Sequence, residues 1–293
     1  MNGVGLKDGC FNLIISGGCS GSFNMSADLS LLDKYKTDDD FSSRPTLRIY
    51  YFSPPALSLG FFQKDKDIDP GIIEKAKQKG YDIVLRPTGG RAVLHKNEIT
   101  YSITASYKNG IFAGKLLETY KKAGEFLNLF FINLGLNPDS NFPSYMGMGT
   151  GTVADHKQNR SGLPFKKNNF NCFLKAHSYE ITFGGKKICG NSQRRSDTAF
   201  LQHGSIYIDY NPIEHIELFE NGDSKGNAEY FKNITGIKQE MKKTGIDFDS
   251  NYLDFDNLSK IMADSFRKAY NLEPEPTDLP DTEYASYRHC DGD

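Results

Sequence analysis

No stretch of the 293-residue chain approaches the ~20 consecutive apolar residues of a membrane-spanning helix. Its first residues, Met1-Asn-Gly-Val-Gly-Leu-Lys-Asp8, lack an apolar core of signal-peptide length. CxxC pairs are missing too, and the cysteines are odd in number (Cys10, Cys19, Cys172, Cys189, Cys290), which argues against a disulfide framework and against a zinc site. Neither sign of charge is in excess, and a net charge of −2 gives no reason to expect nucleic acid. Internal repeats and low-complexity tracts do not stand out. With 38% apolar and 25% charged residues, the expectation is a soluble, cytoplasmic chain that buries a sizeable core, as one large domain or as a domain with an appendage. In a reducing compartment, a thiol set among basic residues becomes a candidate nucleophile.

Apolar patterning predicts alternating strands and helices. Phe11–Ile15 reads as a first strand, Gly17-Gly18 with Gly21 as a loop, and Asn24–Tyr35 as a helix. A polar linker over 37–44 precedes a strand at Leu47–Phe52, and Leu57–Gln63 reads as its partner, with Gly60 marking a bulge or a close backbone approach. Pro70 opens a helix to about Lys79. A long helical pattern runs from Gly114 to Leu134. Met146–Asn169, rich in Gly, Asn, Lys and Arg, reads either as a surface loop that orders around a ligand or as a disordered insertion.

The chain is organised around Arg86-Pro-Thr-Gly-Gly-Arg-Ala-Val-Leu-His95, bracketed by strands at Ile83–Leu85 and Ile99–Ile103. Gly89 and Gly90 carry no Cβ, so the backbone can turn sharply and come close to another group. Strand, glycine pair, arginine and histidine suit a cradle for a polar or anionic ligand. An ordinary Gly-Gly turn with a surface arginine and a packed histidine has the same pattern.

A second polar cluster occupies 170–205. Tyr179-Glu-Ile-Thr-Phe183, Gly184-Gly185 and Lys186-Lys-Ile-Cys-Gly190 spell a hairpin with a primed turn. A two-residue turn pairs Phe183 with Lys186, Thr182 with Lys187, Ile181 with Ile188 and Glu180 with Cys189. Alternation then sets Ile181, Phe183 and Ile188 on one face and Glu180, Thr182, Lys187 and Cys189 on the other, a face that is either part of a site or simply solvated. Gly190–Arg195 follows without apolar character, and Ala199–Ile208 reads as strand, break at His203-Gly204-Ser205, and strand. His203 is either a site residue or a satisfied core histidine. Cys172 precedes Tyr179 by seven residues, among Lys166, Lys167, Lys175, Lys186, Lys187, Arg194 and Arg195. A free cysteine is either a small buried hydrophobe or, beside such cations, a nucleophile, because a nearby cation lowers a thiol pKa from ~8.5. Each unit of lowering is worth ~1.4 kcal/mol in favour of the thiolate. Lys187 is the cation whose direction the hairpin fixes.

From about Phe11 to about Asp209 these segments resemble the biotin/lipoate protein ligase superfamily. The resemblance is carried by Ser22-Phe-Asn-Met-Ser-Ala-Asp28, Leu47–Phe52 with Pro55–Gln63, Arg86–His95, Lys187-Ile-Cys-Gly-Asn-Ser-Gln193 and Gln202-His-Gly-Ser205, in that order. Cys172-Phe173 ahead of Tyr179-Glu180, and Thr88-Gly-Gly-Arg91, are similar to the branch of cysteine-dependent octanoyl-[acyl-carrier-protein]:protein octanoyltransferases. The ATP-dependent lipoate ligases typically carry Asn-Asp before the hairpin. Departures are Lys175-Ala-His177 where Ser-Pro-Ser is usual, Cys189 where Ser or Ala is usual, and Phe52 where Trp is common.

The resemblance implies an α/β (α+β) fold of mixed β-sheets with surrounding helices. It implies Cys172 as nucleophile and Lys187 as the group that lowers its pKa and stabilises charge on the carbonyl oxygen. Arg86, Thr88, Gly89, Gly90, Arg91, His95, Gly190, Asn191, Ser192, His203 and Gly204 would bind substrate. The implied reaction moves octanoyl from acyl carrier protein to a lysine of a lipoyl domain or glycine-cleavage H protein, with no cofactor and no metal. Three alternatives stay open: an ATP-dependent lipoate-protein ligase, transfer between lipoyl proteins, and a non-catalytic carrier binder. Residues 1–239 are expected to form the acyltransferase domain. Residues 240–293, with an amphipathic helix at Leu253–Tyr270 and an acidic, proline-punctuated tail, are expected to form a small helical appendage whose last dozen residues suit disorder.

Overall fold

A computed structural model of the chain describes residues 9–63, 68–108, 110–139, 181–219, 231–249 and 251–280. Cys172, Tyr179, Glu180, the 146–169 stretch and the last dozen residues lie outside the described residues. In chain order the elements are β1 (Cys10–Cys19), α1 (Gly21–Thr37), α2 (Asp39–Ser42), β2 (Thr46–Phe52), β3 (Ala56–Leu59), α3 (Pro70–Gln78), β4 (Asp82–Leu85), β5 (Val93–His95) and β6 (Glu98–Ser106). They continue with α4 (Leu116–Asn133), β7 (Thr182–Phe183), β8 (Lys186–Lys187), β9 (Cys189–Arg195), β10 (Ala199–Tyr207), α5 (Pro212–Phe219), α6 (Ile237–Thr244), α7 (Phe255–Tyr270) and β11 (Glu273–Pro276).

The main sheet has the order β11-β1-β2-β6-β10-β9. β11, β1 and β2 run parallel, while β2, β6, β10 and β9 are successive antiparallel neighbours. A smaller sheet has the order β4-β3-β5, and β7 with β8 forms a separate hairpin. The mixed sheets with helices around them are the α/β (α+β) arrangement that the sequence predicts.

Period-two alternation decides which side of the main sheet is apolar. Leu47, Ile49, Ile99, Tyr101 and Ile103 share one core with Phe11, Phe126, Phe130, Phe131 and Phe266. The intervening residues Arg48, Tyr50, Ser102 and His203 hydrogen-bond to Asp28 of α1, on the opposite side. That second, polar side carries the site.

The structure departs from the sequence reading at five places. Gly17-Gly18 is no loop: β1 runs through both, with a register shift between Ile15 and Gly17 that absorbs the positive φ of Gly17. The linker over 37–44 contains the short helix α2, started by the Asp38 carboxylate accepting from Phe41 N–H. β3 does not pair with β2; it joins β4 and β5 in the smaller sheet. Gly190–Arg195 belongs to a strand, and Ala199–Tyr207 is one unbroken strand through His203-Gly204-Ser205.

The C-terminal segment is woven into the rest. Helix α6 spans the boundary drawn between 239 and 240. On α7, which Asp254 caps, the Phe266 ring lies 4.7 Å from Phe11 and 5.3 Å from Phe126. β11 adds Glu-Pro-Glu-Pro to the edge of the main sheet, through Glu273 N–H to Gly9 O and Thr277 N–H to Leu13 O. Among the described residues, one core runs from Phe11 and Phe126 through Ile237 and Met241 to Phe266, with no break at residue 240.

Candidate active site

Four strands place one polar row in register: Arg48 on β2 faces Ser102 on β6, which faces His203 on β10, which faces Ser192 on β9. Helix α1 crosses above this row and supplies the anion that organises it. Asp28 accepts from Arg48 Nη1 at 2.9 Å, Tyr50 Oη at 2.9 Å, Ser102 Oγ at 2.8 Å and His203 Nδ1 at 3.0 Å. Arg48 also donates to Asn24 O, Asn24 Oδ1 and Ser16 Oγ, and its guanidinium lies over the Tyr50 ring. Both charged side chains are fully buried. An ion pair without water persists only when its donors and acceptors are occupied, as here. Burial alone would raise the Asp28 carboxyl, but the His203 hydrogen bond and the Arg48 charge, with Ser102, outweigh it and hold the group below its ordinary value.

The glycine-rich segment closes over the row. Arg86 is buried and spends its guanidinium on the loop itself, donating to Gly89 O, Arg91 O, Ser58 O and Ser58 Oγ. Gly90 has φ +99°, and its carbonyl passes so close to Gly60 that a Cβ there would stand 2.0 Å from Gly90 O. This is the close approach expected of Gly60. The arrangement delivers Thr88, whose Oγ1 lies 2.6 Å from His203 Nε2 and 2.6 Å from Ser192 Oγ.

His95 forms a second polar group. Its Nε2 meets Ser58 Oγ at 2.8 Å, its Nδ1 meets Ser205 Oγ at 2.9 Å, and its ring stacks on Phe52. Burial lowers the His95 pKa, so the imidazole is neutral near pH 7. Asn191 Oδ1 accepts from Tyr101 Oη and Cys189 Sγ, and a Cβ on Gly204 would lie 2.0 Å from it.

A narrow cavity joins these groups. Its apolar wall includes Met25, Phe52 and Val93, and its polar wall includes Tyr50, Ser58, Thr100 and Ser205. Of the residues expected to bind substrate, Arg86, His95, Gly190, Asn191, Ser192, His203 and Gly204 line it. Thr88 bridges two of them, and Gly89, Gly90 and the half-buried Arg91 form the loop beside it.

The hairpin pairs Thr182 with Lys187 and Phe183 with Lys186 across Gly184 and Gly185, both at positive φ, as the sequence predicts. Its second face is not solvated: Lys187 and Thr182 are buried, and Cys189 sits in the main core beside Ile181 and Ile188. The cause is that Cys189 opens β9 instead of continuing the hairpin. Lys187 is pinned by its backbone, N–H to Asn233 O and carbonyl from Thr235 N–H. Cys172 lies outside the described residues. Sequence reasoning passed over Asp28, Arg48, Tyr50 and Ser58. A trace of the first was present, since Asn24 and Asp28 stand four apart on a helix whose buried face they share.

A profile of the lipoyl protein ligase A/B catalytic domain matches residues 20–266, which include Asp28, Arg48, the glycine-rich loop, His95, Lys187, Ser192 and His203. The chain belongs to that family. Family relatives include octanoyltransferase LipM of Staphylococcus epidermidis, 30% identical over 275 residues, 92% of this chain and 90% of that protein. Octanoyltransferase LipM of Clostridioides difficile is 32% identical over 270 residues, covering 90% of this chain and 88% of its own length. In fold, the chain is similar to a bipartite lipoate protein ligase of Thermoplasma acidophilum, solved in a study of that ligase and its E2 lipoyl domain. The TM-score is 0.66 at 14% identity, over 94% of this chain and 89% of that one.

Proposed function

We propose that the chain takes octanoyl from octanoyl-acyl carrier protein onto Cys172 as a thioester and passes it to a lysine of a lipoyl domain or glycine-cleavage H protein. Octanoyl transfer is the activity for which the LipM relatives are named, and the Thermoplasma acidophilum ligase of the same fold is described together with its E2 lipoyl domain. Both support this reading, in which the transfer serves lipoate biosynthesis. One observation carries the reading onto this chain's own residues. Thr88, Ser192 and His203, from three separate signature segments, meet through 2.6 Å hydrogen bonds at one cavity.

In this reading the Cys172 thiolate attacks the thioester carbonyl and expels the carrier's thiol, and the acceptor amine then attacks the new thioester. Lys187, its backbone held by residues 233–235, favours the thiolate and the charge that develops on the carbonyl oxygen. The Arg86-braced loop shapes the entrance. The reaction needs neither ATP nor metal, and it takes place in the cytoplasm.

The test is intact-protein mass spectrometry with peptide mapping after incubation with octanoyl-acyl carrier protein in the absence of ATP. An octanoyl adduct on Cys172, lost in Cys172→Ser and kept in Cys189→Ser, supports the reading. Cys189 is buried and donates to Asn191 Oδ1, so it is expected to be a bystander. No adduct, with modification of the acceptor only when ATP and a free acid are supplied, would make the chain a ligase instead.

A further inference from the structure

We infer that Ser192, Thr88 and His203 form a directed proton path that deprotonates the attacking lysine nitrogen in the second half of the transfer, with Asp28 as its positioning residue. The inference rests on the acyl-transfer reading and assigns that site a role none of its parts has been given.

The direction of the path follows from hydrogen counting. Asp28 is buried and ionised, so it is acceptor-only. Its neighbour His203 Nδ1, at 3.0 Å, must therefore carry a hydrogen. An imidazole that is to accept a proton must offer a lone pair, and with Nδ1 carrying the hydrogen that lone pair is on Nε2. Thr88 Oγ1, 2.6 Å from Nε2, spends its one hydrogen there. Ser192 Oγ, 2.6 Å from Thr88 Oγ1, must then donate to Thr88. Ser192 lines the cavity, and with its hydrogen committed inward it offers lone pairs to whatever enters. A neutral acceptor there fits an N–H donor and not a carbonyl oxygen.

The chemistry closes on this arrangement. A lysine ammonium loses one proton to water to become nucleophilic, and its nitrogen then forms a bond to the thioester carbonyl carbon. As the C–S bond breaks, its electron pair leaves on sulfur. The second proton of the tetrahedral nitrogen moves to Ser192 Oγ, the Ser192 proton moves to Thr88, and the Thr88 proton moves to His203 Nε2. The imidazolium so formed is held by the Asp28 carboxylate. Every hydroxyl in the path has then reversed, so Ser192 can return a proton to the sulfur or to water. The charged and titratable groups around His203 are Asp28 from α1, Arg48 and Tyr50 from β2, Arg86 after β4, His95 from β5 and, beyond His95, Glu98 of β6. Asp28 is the one in contact with Nδ1, which places a hydrogen on that nitrogen and turns Nε2 toward Thr88.

Thr88→Val and Ser192→Ala remove single links without disturbing the buried Asp28–Arg48 pair. The enzyme is loaded with octanoyl-acyl carrier protein, and the thioester is followed by mass. Its discharge is timed against an apo lipoyl domain and, separately, against hydroxylamine, which is uncharged at neutral pH. Discharge to the lipoyl domain should fall about 100-fold, a typical general-base contribution, and at least tenfold further than loading or discharge to hydroxylamine falls in the same variant. In wild type and variants alike the rate should climb with pH toward the ~10.4 of a free lysine, because the first proton goes to water in each, while the deficit of the variants shrinks as hydroxide takes over the second proton. Discharge to the lipoyl domain at the wild-type rate, or an equal fall in all three rates with no change of pH profile, overturns the path while leaving the acyl-enzyme intact. Failure of wild type to load overturns the acyl-transfer reading itself.

Discussion

His203 presents Nδ1 to Oδ2 of Asp28 at 3.0 Å, joining β10 to α1 across 175 residues of sequence. The same carboxylate neutralises Arg48 through its other oxygen. Asp28 therefore holds both the fold and the orientation of the candidate catalytic side chains.

Asp28→Ala should reduce stability by about 3–5 kcal/mol, because it strands a buried guanidinium. Urea unfolding followed by circular dichroism measures it. Combining Asp28→Leu with Arg48→Met should recover much of the loss, since no uncompensated charge remains. An unchanged urea midpoint in Asp28→Ala would show that the pair does not anchor α1.

Gly60→Ala tests the close approach of the two loops. Its methyl would lie 2.0 Å from Gly90 O and 2.7 Å from Gly90 C, and backbone cannot yield as a flexible side chain can. The expected result is a displaced 88–91 loop, a stability loss of about 1–3 kcal/mol, and transfer reduced at least tenfold. Gly80→Ala, at φ +71° with open space around it, serves as a control that carries backbone strain without a clash.

Acid should weaken the fold in a defined window. Burial pushes the His215 imidazole from 6.5 down to about 4 in the folded chain. Between those values the unfolded chain binds the extra proton, so stability falls as pH drops from 6.5 to 4 and is fully present above 6.5. Two and a half units correspond to about 3 kcal/mol. His95, lowered by burial as well, acts in the same sense. Urea titrations across this range should show a shallower pH slope in His215→Leu, with the His95 share remaining.

Phe266→Ala should cost about 3–5 kcal/mol as a large-to-small change in a packed core. Truncation after residue 249 removes α7 and β11 together, exposing Phe11, Phe126 and the β1 edge. The truncated chain should fail to give a cooperative thermal transition. A sharp transition near that of the full chain would mean that the C-terminal segment is a separable unit.

The fold was legible wherever local chemistry sufficed. The primed turn at Gly184-Gly185, Pro70 at a helix start and the glycine-rich loop all announce themselves within a few residues. β9 escaped notice because it is an edge strand with polar residues on both faces: Ser192 turns to Thr88 at the cavity and Asn191 to Tyr101 on the other side, so it lacks apolar alternation. His203-Gly204-Ser205 resembled a break for a related reason: His203 and Ser205 face buried polar partners, and Gly204 makes room for Asn191. Asp28, Arg48 and Tyr50 read as ordinary residues of a helix and a strand because their meaning lies in each other, twenty residues apart. A buried polar contact across that distance leaves no periodic trace. The glycine-rich stretch, by contrast, announced Arg86 and His95 of the cavity lining in advance.

The final strand has a consequence for the molecule in crowded solution. Pro274 and Pro276 alternate with residues whose N–H groups turn inward to β1, so the positions facing outward are those that own no amide hydrogen. That rim cannot serve as a template for another chain's strand, and the ion pairs of Glu273 with Arg267 and Glu275 with Arg44 add bulk and polarity beside it. Self-stacking into fibres is blocked on that flank by four residues.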